Sequence, residues 1–213
     1  NPGDISLVPD PGYPVYSAGG IIAGARIVSL PLLAENGFLP DLKSIAPADL
    51  EKAKILSLNY PNNPTGALAT MAFYEEAIAF ARKHGILIAH DAPYCDVTFD
   101  GYNAPSILQI PGAKDVVVEF NSLSKTYNMA GWRLGMAVGN AQVIDYLSTY
   151  KSQMDTSTFI PVFDAGVAAL TADQGWLKER NETYRERRDI VVNALRKAGF
   201  VLESPHAAIY VWA

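Results

Sequence analysis

The chain has 213 residues, 49% hydrophobic and 18% charged, a balance that excludes a disordered protein and predicts a folded globular one. A net charge of −5 argues against a nucleic-acid partner, and because no apolar run reaches the ~18 residues of a membrane span, we expect no membrane partner either. One cysteine, Cys95, and three scattered histidines exclude an internal disulfide, predict no metal site and favour a reducing, cytoplasmic setting.

Short β-rich runs alternate with helical patterns over the first two thirds of the chain, which is typical of βαβ units. Several runs are almost continuously apolar, as expected for strands that helices cover on both faces. We therefore predict an α/β fold, a three-layer α/β/α arrangement around a mostly parallel mixed sheet. The predicted strands are, in chain order, Ile5–Val8, Arg26–Leu30, Lys54–Asn59, Ile86–His90, Val116–Phe120 and Leu134–Val138.

The segment between the third and fourth predicted strands has helix signals at both ends. Thr70 is a suitable N-cap residue, and Gly85 suits the turn that ends a helix. Apolar residues at helical spacing predict one buried face. These residues are Phe73, Ala77, Phe80 and Ala81.

Helical patterns dominate after residue 140. The predicted helices are Ala141–Gln153, Pro161–Ala172 and a longer one over Gln174–Ala198. In the longest helix the charged residues alternate in sign, which indicates a solvated face; a basic binding patch is the alternative.

Two further β-rich runs, Phe200–Glu203 and Ile209–Ala213, predict the start of a second, smaller α+β domain. We therefore divide the chain into a large domain over residues 1–173 and a second part over residues 174–213. The second part contains the long connecting helix and the beginning of the small domain. The chain opens without methionine and stops within a predicted strand, so we expect it to be a piece of a longer protein.

Three polar motifs follow the third, fourth and fifth predicted strands, where open α/β sheets bind their ligands. Taken singly, they could be a proline-punctuated turn, a helix cap and a solvated lysine. The motifs of serine hydrolases, zinc proteases and dinucleotide-binding folds do not occur in the sequence. The three motifs are Asn62-Asn63-Pro64-Thr65-Gly66, Asp91-Ala92-Pro93-Tyr94, and Ser122-Leu123-Ser124-Lys125 extending to Arg133-Leu134-Gly135.

In this order and at these separations, the motifs resemble those of the class I/II pyridoxal-phosphate aminotransferases of fold type I. The resemblance covers essentially the whole chain, and the segments around Asp91 and Lys125 look most like the LL-diaminopimelate subgroup. Aspartate and alanine aminotransferases are similar as well. The resemblance implies a homodimeric enzyme that uses pyridoxal 5′-phosphate to move an amino group from an amino acid to a 2-oxo acid by a ping-pong mechanism.

The resemblance also implies catalytic roles for Lys125, Asp91 and Tyr94. Lys125 would form a Schiff base with the cofactor and then act as the general base. Asp91 would keep the pyridine nitrogen protonated, so that the ring can serve as an electron sink. Tyr94 and Asn63 would hydrogen-bond the phenolic oxygen of the ring.

Further residues would bind the two remaining parts of the cofactor. Ser122, Ser124 and Arg133 would take the phosphate, since an arginine fork makes bidentate contacts. Tyr13 stands where the family places an aromatic residue that stacks on the ring. Tyr16, three residues further on, is predicted to be a core residue.

Some of the family's site residues are expected outside this chain. They are part of the phosphate cup, a tyrosine from the neighbouring subunit and the arginine that grips the substrate α-carboxylate. Ala207 stands where the family usually has glycine, so the substrate pocket is less well defined than the cofactor site.

Two alternatives remain open. A β-lyase, or another fold type I enzyme, would use the same cofactor residues for elimination or decarboxylation. An aminotransferase-like sensor domain of a transcriptional regulator would bind the same ligand without turnover.

Overall fold

A computed structural model describes residues 1–155 and 157–213. Its centre is one six-stranded sheet, in which the first five strands are parallel and the sixth is antiparallel to the fifth. The strands are β1 (Ile5–Asp10), β2 (Arg26–Pro31), β3 (Ala53–Asn59), β4 (Leu87–Asp91), β5 (Val117–Ser122) and β6 (Gly135–Gly139). Their spatial order is β2-β1-β3-β4-β5-β6, so the predicted α/β fold with a mostly parallel mixed sheet is confirmed.

Seven α-helices and several short 3-10 turns connect or follow the strands in the described residues. The six strands predicted for the sheet and the helices predicted after residue 140 form, with ends within two residues of those predicted; only short helices were not predicted. The helices are α1 (Val15–Ile22), α2 (Pro47–Leu50), α3 (Met71–His84), α4 (Leu123–Thr126), α5 (Ala141–Met154), α6 (Ile160–Thr171) and α7 (Trp176–Lys197). The 3-10 turns are Ala34–Asn36, Leu42–Ser44, Ile107–Gln109, Ala113–Asp115 and Ala130–Trp132.

The core lies on the four inner strands of the sheet. Leu7, Leu56, Ile88 and Val117, one from each of these strands, are fully buried. Burial on both faces explains why these strands are almost continuously apolar in sequence. The inner strands thus form a rigid base for the loops that follow them.

Helix α3 begins and ends as its sequence predicts. The Thr70 hydroxyl accepts a hydrogen bond from the Phe73 amide at 3.2 Å, and Gly85 ends the helix in the left-handed conformation with φ +64°. Its buried face differs from the prediction, because Tyr74 and Ile78 are buried as well and Phe80 is only partly buried.

Helix α7 departs from the solvated face that we predicted. Arg180 and Arg188 are 7% and 8% exposed, because the guanidinium groups hydrogen-bond carbonyl and carboxylate oxygens of neighbouring loops. Arg188 binds the Asp100 carboxylate and donates to the Pro205 carbonyl oxygen at 2.9 Å. The prediction was wrong for these two arginines, since charge alternation alone does not reveal such long-range acceptors.

The C-terminal segment does not form the two strands that we predicted. Phe200–Glu203 and Ile209–Ala213 have no strand structure, and Thr98 and Ala207 form one isolated bridge. Two backbone hydrogen bonds, from Phe99 to His206 and from Ala208 to Val97, flank this bridge. The domain division after residue 173 stays a prediction. Within the described ranges, we find no helix long and apolar enough to cross a membrane.

Candidate active site

A cavity of about 330 Å³ opens at the carboxyl end of the sheet. Its lining contains all eight residues that the sequence singled out, so four separate chain segments bring them together. These residues are Tyr13, Asn63, Asp91, Tyr94, Ser122, Ser124, Lys125 and Arg133. The roles assigned to them stay predictions, whereas their convergence on one cavity is a property of the fold.

Asp91 is the last residue of β4 and lies opposite Asn59, the last residue of β3. The Asn59 side-chain amide donates to the Asp91 carbonyl oxygen at 2.8 Å, which fixes the end of the strand. The Tyr16 hydroxyl donates to the Asp91 carboxylate at 2.7 Å. Burial raises the pKa of Asp91, while the hydrogen bond from Tyr16 opposes that rise.

Side-chain oxygens hold the loop after β3, because they accept hydrogen bonds from its backbone amides. The Asn62 side-chain oxygen accepts from the Thr65 amide at 3.1 Å and from the Thr65 hydroxyl at 2.7 Å. The Asn59 side-chain oxygen accepts from the Asn63 amide at 2.8 Å. Gly66 takes a φ of +71°, which glycine adopts without strain. These contacts position Asn63 at the cavity.

Lys125 lies in α4, a single helical turn directly after β5. The Ser122 hydroxyl oxygen accepts from the Ser124 amide at 3.2 Å and caps the start of this turn. The Lys125 ammonium nitrogen is 5.9 Å from the centroid of the Tyr94 ring. One wall of the cavity therefore carries the amine, two hydroxyl groups and the face of the Tyr94 ring.

Arg133 lies on the other side of the same connection. It has a left-handed backbone, with φ 54°, and its guanidinium donates to the Ala130 carbonyl oxygen at 2.7 Å. The next strand begins at Gly135, where a Cβ atom would be only 2.8 Å from the Asn121 carbonyl oxygen. Glycine thus allows β6 to pack closely on β5 and leaves the exposed arginine at the rim of the cavity.

Tyr94 is buried beneath the cavity and shares a hydrogen bond with a residue of the C-terminal segment. Its hydroxyl lies 2.6 Å from that of Tyr210, and the two rings meet edge to face with centroids 5.5 Å apart. Burial raises the pKa of the Tyr94 phenol, and the contact with Tyr210 raises it further. Tyr94 is therefore held protonated, with Tyr210 beside it in the cavity wall.

A buried polar network supports the strand that carries Asp91. The His90 ring lies 3.1 Å from the Tyr74 hydroxyl on one side and 3.1 Å from the Glu119 carboxylate on the other. Burial raises the pKa of Glu119, but hydrogen bonds from His90, Ser106 and Asn121 outweigh this and hold it below its usual value. The network ties β4 to β5 just below the cavity.

Sequence reasoning missed three cavity residues with hydrogen-bonding side chains: Tyr16, Asn59 and Tyr210. The core position predicted for Tyr16 is wrong, because its side chain is only half-buried and its hydroxyl reaches Asp91. Its nearness in sequence to Tyr13 was an available signal, since the two rings meet edge to face with centroids 6.1 Å apart. Asn59 lies three residues before the first motif. Tyr210 had no local signal, because its partner Tyr94 is 116 residues away.

No metal centre stands out near these residues. Across 1–155 and 157–213, no group of three or more histidine, cysteine, aspartate or glutamate side chains is placed to hold a metal ion. The chemistry available at the cavity is that of one amine, one carboxylate, one guanidinium and several hydroxyl groups.

Known proteins share both the sequence and the fold of this chain. An LL-diaminopimelate aminotransferase of Moorella thermoacetica is 53% identical over the whole chain, which covers 55% of that protein. An LL-diaminopimelate aminotransferase of Desulforudis audaxviator is 50% identical, with 100% of this chain and 54% of that protein covered. The chain thus spans about half the length of the curated relatives that it matches.

Solved structures agree with these relatives. BacF of Bacillus subtilis superposes with a TM-score of 0.95 at 44% identity, covering 100% of this chain and 54% of that one. A probable N-succinyldiaminopimelate aminotransferase of Thermus thermophilus gives 0.93 at 41% identity, with coverages of 100% and 56%. The family model described as aminotransferase class I and II matches residues 1–213. By sequence, fold and motif positions, the chain belongs to the class I and II aminotransferase family.

Proposed function

We propose that this chain forms the cofactor-binding part of a pyridoxal-phosphate aminotransferase. One observation carries the proposal: a single cavity gathers the asparagine, the aspartate, the lysine and the candidate phosphate-binding side chains that three separate motifs supply. The names of the relatives support LL-diaminopimelate as the amino donor. We propose 2-oxoglutarate as the acceptor. These relatives are named as enzymes, which favours a catalyst over a sensor domain.

The chemistry of the cavity fits pyridoxal 5′-phosphate. Ser122, Ser124 and Arg133 offer hydroxyl groups and a cation to a phosphate group. Tyr94 and Asn63 offer hydrogen bonds to a phenolic oxygen, and Tyr13 offers an exposed aromatic face. When bound, the cofactor supplies an aldehyde that can link to an amine and a ring that can accept an electron pair.

The side chains of this chain would then hold and move protons. The Asp91 carboxylate would hold a proton at the ring nitrogen, and Tyr16 would keep that carboxylate oriented. The Lys125 amine would take the proton from the α-carbon of the substrate and deliver it to the C4′ carbon of the cofactor. The wall around Tyr94 and Tyr210 would limit water near Lys125.

A β-lyase would use the same residues, so the products must decide between the two activities. We expect the full-length protein, given pyridoxal phosphate, LL-diaminopimelate and 2-oxoglutarate, to form glutamate only when both substrates are present. Aspartate and alanine as amino donors would test the substrate class. Formation of pyruvate and ammonia without 2-oxoglutarate would contradict the transaminase proposal and support elimination.

We further propose that the protein is a homodimer in a cytoplasmic setting. Helices α5 and α6 expose a series of large apolar side chains, which favours burial against a second copy. The exposed residues are Tyr146, Leu147, Tyr150, Met154, Ile160, Phe163, Val167 and Leu170. Light scattering on the full-length protein should give twice the mass of one chain, whereas a single-chain mass would contradict the dimer.

A further inference from the structure

Helix α7 carries one buried arginine that points toward the lysine turn rather than into the cavity. Arg180 is 7% exposed, and its guanidinium donates to the Lys125 carbonyl oxygen at 3.1 Å and to the Thr126 carbonyl oxygen. It also donates to the Asp96 carbonyl oxygen at 2.6 Å. One side chain therefore bridges α4, which contains Lys125, and the loop that follows Tyr94.

These acceptors explain why a buried cation is kept at this position. Burial lowers the pKa of Arg180, and its hydrogen-bond acceptors in the described residues are carbonyl and amide oxygens rather than carboxylates. The nearby Asp96 carboxylate instead accepts from the Thr126 hydroxyl at 3.1 Å. The guanidinium also lies 5.8 Å from the Trp176 ring and 5.9 Å from the Tyr184 ring, which favours a cation.

The turn that holds Lys125 is too short to be stable by itself. A four-residue helix leaves its last carbonyl groups without backbone partners. Ser122 satisfies its first turn, and Arg180 satisfies carbonyl oxygens at its end. A planar guanidinium can serve several acceptors at fixed angles, whereas a lysine ammonium on a flexible stem cannot reproduce that fork.

We propose that Arg180 is a positioning residue for Lys125, fixing the lysine turn relative to the loop after Tyr94. The role rests on the proposed function of Lys125. It gives α7 a direct connection to the reacting amine through main-chain atoms. A displacement of α7 would therefore move the Lys125 main chain together with the loop at Asp96.

The first test needs no cofactor and uses hydrogen exchange in the full-length apoprotein. Arg180→Lys keeps the charge and removes the fork, and Arg180→Met removes both. We expect about tenfold faster exchange of amides in residues 95–97 and 123–127 for either variant, with the inner strands unchanged. Arg187→Lys is the matched control, because Arg187 is exposed on the same helix and should leave exchange as in the wild type.

The second test follows the visible band of the protein loaded with pyridoxal phosphate as the pH is varied. A displaced Lys125 amine meets different neighbours, so Arg180→Lys should shift the midpoint of this pH titration by at least about 0.5 unit. A variant that only loses global stability would keep the wild-type midpoint in its folded fraction. Arg187→Lys should keep that midpoint as well.

The two tests separate this inference from the proposed function. Wild-type exchange in both segments for both Arg180 variants would overturn the positioning role, and so would an unchanged midpoint. If the wild-type protein fails to load pyridoxal phosphate, the proposed function fails, while the exchange result still decides whether Arg180 holds the turn. If Arg180→Lys does not fold, Arg180→Met takes its place in both tests, with the same expected and contradicting results.

Discussion

The carboxyl edge of the sheet and the C-terminal region from α7 onward both contribute to the cavity, but they do so differently. At the sheet edge, short local motifs supply the cavity residues. Asp91 is the last residue of a buried strand, and Asn63 and Lys125 lie within four residues after the ends of two others. In the C-terminal region, Arg180 and Tyr210 reach the site through partners 55 and 116 residues away. The first region supplies the reactive groups, and the second holds them in place.

This difference predicts different consequences for substitutions in the two regions. Changes at the sheet edge should remove chemistry while the fold persists. Changes in the C-terminal region should alter stability and geometry and affect the rate less. The substitutions below test that contrast.

The largest effect is expected for Lys125→Ala. Nucleophile and base are lost together, so transamination should fall by ~10³-fold or more. The thermal midpoint should stay close to that of the wild type. Lys178→Ala, at an exposed position on α7, is the control and should keep full activity. A Lys125→Ala protein that turned over at near-native rates would contradict the assignment of the lysine.

Asp91→Asn should reduce the rate by about a hundredfold, because an uncharged side chain cannot stabilise a protonated ring nitrogen. Asp91→Glu should retain more activity. Steady-state kinetics with saturating cofactor would measure both, and an unchanged rate for Asp91→Asn would leave Asp91 as a turn residue only.

The same substitution should stabilise the apoprotein. Since burial raises the pKa of Asp91 above its usual value of 3.8, its ionisation opposes folding. That penalty grows as the pH rises from 3.8 through the raised pKa, and it is fully present above that pKa. Asp91→Asn should therefore raise the thermal midpoint at pH 7 by a few degrees. A lower midpoint would contradict this account.

A smaller effect is expected from Arg188→Gln in the C-terminal region. Loss of the contacts to Asp100 and Pro205 should lower the free energy of unfolding by about 1–3 kcal/mol, measured by urea denaturation. Hydrogen exchange of the amides of residues 206–208 should quicken. Arg187→Gln, whose side chain is exposed, is the control. Unchanged stability in Arg188→Gln would show that this ion pair does not hold the segment.

The ion pair also predicts a pH dependence. Hydrogen bonds from Arg188 hold the pKa of Asp100 below its usual value. The stability that this pair contributes is present above pH 3.8 and is lost as the pH falls through the lowered pKa. Arg188→Gln should therefore differ least from the wild type at the acid end of the titration.

Tyr16→Phe should have the smallest effect on the maximal rate, at most about tenfold. Without the hydroxyl, the pKa of Asp91 should rise further, since the hydrogen bond from Tyr16 lowers it. The acid limb of the pH–rate profile should then move to higher pH, with little change above neutrality. An unmoved acid limb would mean that Tyr16 does not govern the ionisation of Asp91.

The sequence predicted the sheet and the long helices because each depends on local pattern. The resemblance to the family predicted the eight cavity residues. Apolar runs identify buried strands, and Thr70 and Gly85 mark the ends of α3. Tyr210 and the burial of Arg180 could not be predicted this way, since both follow from tertiary contacts. The strands expected near the C-terminus failed for a related reason: a strand requires a partner, and residues 97–99 provide only one bridge.

Lys125 is the amine that we expect to hold the cofactor. The most direct measurement is to load the full-length protein with pyridoxal 5′-phosphate, reduce it with borohydride, digest it and map the labelled peptide by mass spectrometry. The account predicts one pyridoxyl group, on Lys125, and no stable label in Lys125→Ala. A label on another lysine, or an unlabelled wild-type protein, would contradict it.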